Sequence, residues 1–219
     1  MKVLRTYYIF LFSTVIISQE KETIKYEDLY ARNGLIYASD QDSSFNGTVD
    51  ENWPTGINKL SYTYKNGKPD SKWSDWFNNG QPKEEVEYSD GIKNGLHKQW
   101  YKNGQQKFER TYKNGIHDGK WTEWYENGQS MVEGNFLDGK PDGTWIYWYP
   151  NGQKREEGNP VSSDTSSLAF LNDGIWNYWH HNGQIKETGS YISGEKDGQW
   201  FEWHDNCLLY TSPSPRDRG

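Results

Sequence analysis

The chain has 219 residues, 32% hydrophobic, 16% aromatic and 25% charged, with a formal net charge of −7. Aliphatic residues are too scarce to fill a large two-layer globule, whereas 12 Trp and 16 Tyr suit a sheet whose faces stay partly wet. Without the two chain ends treated below, residues 19–206 hold 20 basic against 30 acidic residues, a net of −10. That sign speaks against nucleic acid and anionic lipid as partners.

Residues 1–5 are basic, residues 7–17 are apolar, and Ser18 is a small residue suited to cleavage. Residues 1–18 therefore read as an export signal, which predicts a periplasmic, cell-envelope or extracellular protein, or an N-terminal anchor if the signal stays attached. The apolar run is too short for a comfortable membrane span.

From there a repeat takes over. Trp76, Trp100, Trp124 and Trp148 are 24 residues apart, and the series resumes at Trp179 and Trp203 after a skip of seven. Three residues after each of the first five comes Asn-Gly-Gln, beginning with Asn79-Gly80, Asn103-Gly104, Asn127-Gly128, Asn151-Gly152 and Asn182-Gly183. Trp203 is followed by Asn206 in the same place. A fixed period of this length specifies a repeat array.

In the unit 120–143, residues 120–125 are aromatic-rich and read as a strand. Glu126-Asn127-Gly128-Gln129 reads as a hairpin turn in which Asn and Gly take positive φ. Residues 130–136 return, and residues 137–143 form a Gly- and Pro-punctuated loop. Corners are expected at Asn33-Gly34, Thr55-Gly56 and each Asn-Gly above, about eight hairpins with the last cut short. The predicted fold is all-β: an extended single-layer antiparallel meander of tandem hairpins over residues 19–206, twisted as sheets are.

Alternation places Trp121, Glu123 and Tyr125 on one face and Thr122 and Trp124 on the other. Both faces thus carry rings, and rows of them are expected to hold the ribbon. Lys83 with Glu85, Lys107 with Glu109, and Arg155 with Glu157 are expected to form a self-neutralising charged stripe.

The array breaks at residues 158–172, where seven residues are inserted and Pro160 takes the slot of Tyr88, Tyr112, Phe136 and Tyr191. Pro160 is expected to disrupt pairing, and the insertion to be a surface loop. His180 and His204 replace Tyr101, Tyr125 and Tyr149 and should continue a ring ladder. Lying about 9.6 Å apart, they are too distant to share a metal ion. His97 and His117 fall in hairpin-connecting stretches with no partner pattern. Residues 207–219, with the lone Cys207, resemble a translated sequencing-library adapter and are set aside from fold reasoning.

The run Gly-x-Trp-x-x-Trp-Tyr-x-Asn-Gly-Gln, followed by Glu, an aromatic residue and a Gly-rich loop, resembles the MORN-variant repeat over residues 26–206. Residues 28–49 look like a degenerate first unit. Similar bacterial arrays are often labelled YwqK-family antitoxins of toxin–antitoxin pairs, a resemblance that implies a protein partner.

No nucleophile elbow or phosphate-binding loop appears, so no catalytic, cofactor or metal residue is predicted. The candidate binding surface is Trp76, Trp100, Trp124, Trp148, Trp179, Trp203, Trp121, Trp145, Tyr125 and Tyr149. A non-enzymatic scaffold for a protein partner or for self-association is expected. Rows of Trp could instead stack on sugar rings of a glycan or cell wall, since choline-binding repeats are similar in aromatic and Gly content. A third expectation is the repeat region of an enzyme whose catalytic domain lies beyond residue 206.

Overall fold

The computed structural model describes residues 24–162, 170–205 and 209–213. The export segment 1–18, most of the insertion (163–169) and the greater part of residues 206–219 lie outside the described residues. After one 3-10 turn (Tyr26–Asp28) the described residues form strands β1 (Leu29–Arg32), β2 (Leu35–Ala38), β3 (Gly47–Asn52), β4 (Asn58–Lys65), β5 (Lys68–Pro69), β6 (Ser71–Trp76) and β7 (Pro82–Ser89). There follow β8 (Ile92–Trp100), β9 (Gln106–Lys113), β10 (Ile116–Trp124), β11 (Ser130–Leu137), β12 (Lys140–Trp148) and β13 (Lys154–Ser162). The last are β14 (Phe170–Trp179), β15 (Ile185–Ile192), β16 (Glu195–Trp203) and β17 (Leu209–Pro213). From β3 to β17 they pair in chain order as one antiparallel sheet, with the short β5 beside β6 on β4. This is the predicted single-layer meander of tandem hairpins.

Two kinds of turn alternate. At one margin the turns Asn66-Gly67, Asp90-Gly91, Asn114-Gly115, Asp138-Gly139 and Ser193-Gly194 place both residues at positive φ, for example 50° and 82° at Asn114-Gly115. These are two-residue turns whose hand matches strand twist. At the other margin, Tyr125 N donates to Gln129 O and Gly128 N to Tyr125 O, both at 2.9 Å. Gly128 has φ 84°, whereas Asn127 is not left-handed. The corner is thus a three-residue loop closed by a left-handed glycine, and the expectation of positive φ at Asn fails at Asn79, Asn103, Asn127, Asn151 and Asn182 alike.

Asn33-Gly34 is not one of these corners. Its φ values of 53° and 76° make it a two-residue turn, and β1 and β2 form a separate two-stranded sheet. This hairpin caps the first end of the ribbon: Ile36 N donates to Gly67 O at 2.8 Å, and Ile36 and Leu29 pack on a core of Ala38, Phe45, Val49, Leu60 and Tyr64. The regular corners begin at Trp53, whose N–H donates to Ile57 O at 2.7 Å. At the far end β17 lies along β16. An open edge accepts an extended segment through main-chain bonds, whatever its side chains.

Each hairpin also carries a bulge. Tyr88 faces Lys93 and Val86 faces His97, so β8 spends four residues where β7 spends two. The same shift recurs on β10, β12, β14 and β16. Bulges bend strands. They recur at one level of the sheet, and rings on this single layer reach near-complete burial. Trp145, Trp176 and Trp200 are 2%, 3% and 2% exposed. Each indole lies on a glycine of the preceding strand, where a Cβ would sit 2.2–2.3 Å from the ring: Trp145 on Gly134, Trp176 on Gly158, Trp200 on Gly189.

The carboxylates of the charged stripe are neutralised, Glu85 by Lys72 at 2.7 Å and Glu109 by Lys98 at 3.0 Å across strands and Glu157 by Lys154 within β13, rather than by the residues two positions away. Residues i and i+2 stand about 7 Å apart along a strand, farther than residues facing each other across it. Pro160 does not disrupt pairing: β13 runs on to Ser162 with Pro160 buried opposite Asn172. The ring that Pro160 omits is supplied by Phe170, 5.9 Å from Phe136 and 5.7 Å from Trp145.

Candidate interaction surfaces

The corner margin is built by side chains that tie each corner to the next. Asn127 Oδ1 accepts from Gln129 N at 3.0 Å, shaping its own loop, while Asn127 Nδ2 donates to Pro150 O at 2.7 Å. Asn79, Asn103, Asn151 and Asn182 repeat both contacts. The hydroxyls of Tyr101, Tyr125 and Tyr149 donate to the carbonyls of Trp124, Trp148 and Trp179 at 2.7–3.0 Å. His180 Nε2 meets Trp203 O in the same way at 2.8 Å, which explains why a histidine serves in a tyrosine slot. Gln81, Gln105, Gln129 and Gln153 each lie on the next corner's glycine; Gln105 Oε1 would be 2.9 Å from a Cβ on Gly128.

The candidate residues divide accordingly. Trp76, Trp100, Trp124, Trp148, Trp179 and Trp203 end alternate strands, β6 to β16, along this margin, all half-buried. Tyr125 and Tyr149, also half-buried, are clasps between corners. Trp145 is withdrawn from the binding surface, because at 2% exposure it is core. Trp121, half-buried, packs on the same face against Phe136 and Trp145. The network of ring contacts runs through this face, from Tyr112 and His117 to Trp121, Phe136, Trp145 and Phe170. The corner indoles are linked through their carbonyls instead, so the expected indole rows do not hold the margin.

A polar cluster interrupts the aromatic face at His97 and His117, which are not in connecting loops. His97 occupies the Trp73 and Trp121 slot on β8 and is 6% exposed. Its Nε2 is 2.7 Å from Glu84 Oε1 and its Nδ1 3.2 Å from Lys93 Nζ. The His97 contact holds the Glu84 carboxyl below its usual range. Arg110 is layered between Phe108 and Trp121, 4.1 and 3.9 Å from their centroids, and bonds Glu123 at 2.5 Å. Burial, helped by Arg110, Lys93 and His97, pushes the His117 imidazole down to about 4. The signal was in the spacing: His97 lies 24 residues from both Trp73 and Trp121.

A cleft of ≈ 400 Å³ opens at the first corners, lined by Trp53, Trp76, Phe77, Asn78, Lys59, Lys83, Lys102 and Asp75. Among the described residues, no three His, Cys, Asp or Glu side chains are grouped so as to hold a metal ion.

Tandem hairpins joined corner to corner, with aromatic rings packed on one face and one margin lined by indoles, define a β-repeat scaffold. The MORN repeat variant matches residues 69–90, 93–114, 118–138, 141–159 and 172–193. Residues 69–193 are accordingly an array of MORN repeat variants, each match running from one two-residue turn across a corner toward the next. No curated protein matches the chain.

Proposed function

We propose that the chain is a non-enzymatic scaffold that binds a protein partner, in an exported or cell-envelope setting. The observation that carries this reading is the margin of six half-buried indoles, evenly presented on corners that hydrogen-bond to one another. Large rigid rings on a preorganised backbone contribute binding energy at low entropic cost. A toxin gripped by an antitoxin would be one partner of this kind. The acidic balance of the chain argues against nucleic acid and anionic lipid. The test is affinity capture with the full chain and a Trp124→Ala/Trp148→Ala variant whose circular dichroism is unchanged. A protein retained by the first and lost by the second supports the reading; equal retention by both overturns the role of the indoles.

The even row of indoles on one margin also favours a second reading, stacking on a neutral glycan or cell-wall polymer. Retention on polysaccharide that depends on Trp124 and Trp148 would support it.

A further inference from the structure

The cleft at the first corners differs from the rest of the margin. Its walls come from three successive corners: Trp53 from the first, Trp76, Phe77 and Asn78 from the second, Lys102 from the third. Phe77 stands where Tyr101, Tyr125 and Tyr149 carry the clasping hydroxyl, so the second corner lacks that tie to the third. Trp53, in the same slot of the first corner, donates from Nε1 to the main-chain carbonyl of Trp76 at 3.3 Å and ties the first corner to the second.

The charge of the cleft runs against that of the chain. Three lysines face a single carboxylate, Asp75, which already accepts from the Tyr62 hydroxyl at 2.7 Å. Lys59 is answered by Glu51 at 2.8 Å. Lys83 and Lys102 are exposed and make no ion pair among the described residues. A body with a surplus of acid thus presents two uncommitted cations beside three ring faces.

We infer that this cleft binds an anionic saccharide, a sugar ring bearing a carboxylate or sulfate within a longer polymer. The flat faces of Trp and Phe match the apolar C–H face of a pyranose. The ammonium groups of Lys83 and Lys102 supply charge-assisted contacts to the anion, and the exposed amide of Asn78 can meet a hydroxyl. The open position on the turns admits a polymer passing across it. An acidic peptide fits less well, because the corner's main-chain groups are already used: Phe77 N donates to Gln81 O at 2.8 Å and Gly80 N to Phe77 O at 2.9 Å. Extended peptides bind mainly through free main-chain partners. The inference shares Trp76 with the indole margin but turns on Lys83, Lys102, Trp53 and Phe77, which neither the protein-scaffold nor the neutral-glycan reading uses.

The experiment is isothermal titration of the full chain with oligogalacturonate, its methyl ester, heparin-derived oligosaccharide and poly-glutamate. A Lys83→Gln/Lys102→Gln variant, altered only at exposed side chains, and a Trp124→Ala/Trp148→Ala variant are titrated in parallel. We expect binding of at least one acidic saccharide, no binding of the ester, and a loss of about tenfold or more in the lysine variant. The Trp124/Trp148 variant should bind as the parent does. Failure of both acidic saccharides to bind, binding undiminished in the lysine variant, or poly-glutamate binding as tightly as the saccharide would each overturn the inference.

Discussion

The pairing of a buried indole with a glycine across the strand is a coupled design, and it can be broken and remade. Gly134→Val puts a branched side chain under Trp145, where even a Cβ would lie 2.2 Å from the ring and ordinary contact begins at 3.4 Å. The indole must move by more than about 1 Å in a site that is 2% exposed, and overpacking of this kind costs about 3 kcal/mol. Trp145→His alone empties space beneath Phe136 and Phe170 and costs about 3 kcal/mol by loss of buried ring volume. The chain already contains the compensated pair at the equivalent place: Val86 faces His97, with His97 buried. The double variant should therefore recover about 2 kcal/mol relative to the sum of the singles, an interaction energy typical of side chains in direct contact. Urea unfolding followed by far-ultraviolet circular dichroism reads all four proteins. A Gly134→Val variant as stable as the parent, or a double variant no better than additive, would refute the coupling.

Three further outcomes follow from the same contacts. Tyr125→Phe removes one hydrogen bond to Trp148 O and should cost about 1 kcal/mol, seen as a fall of about 2–4 °C in Tm. Gly128→Ala should destabilise more than Gly56→Ala: both have φ 84°, but an added Cβ meets Gln105 at the first and nothing at the second, so the difference in Tm isolates the Gln-on-Gly contact. Acid should weaken the fold in two overlapping steps. Between about pH 6.5 and about 4 the unfolded chain protonates at His117 while the folded chain does not, so stability falls with pH through that window by about 2 kcal/mol, allowing for partial solvent access. The contribution of Glu84, held low by His97, is present above about pH 4.5 and is lost as pH falls through its depressed folded value. His117→Phe should flatten the upper part of the profile in thermal melts across pH, and an unchanged slope would count against the assignment.

Period and turn chemistry carried most of the architecture. The 24-residue spacing and the Asn-Gly-Gln signature are local, and they specify hairpins and their order without tertiary information. The corner tyrosines and asparagines were legible as repeated residues, but their partners were not, because each bonds a carbonyl one unit away and any residue offers a carbonyl. Trp145 was misread because alternation shows that rings occupy both faces without showing which face is covered. That depends on the bulges at Asn94-Gly95 and its equivalents, which in sequence look like ordinary loop glycines. Gly134, Gly158 and Gly189 carry no signal in the sequence for the same reason: their need for space exists only once an indole lies over them. His97 was missed although its spacing marked it, since a polar residue in an aromatic column reads as an interruption until Glu84 and Lys93 are seen around it.

The contacts at the corners reach 23 residues ahead in most of the chain, and 30 across the inserted segment, with the same atoms and nearly the same lengths. Extra chain at the opposite margin leaves them untouched. Such a ribbon behaves as a ruler whose graduations are its corners: duplicating or deleting one 24-residue cassette shifts its reach by about 9.6 Å and leaves the neighbouring graduations where they were. Span can therefore drift in evolution, or be reset by an engineer, independently of what any single graduation holds.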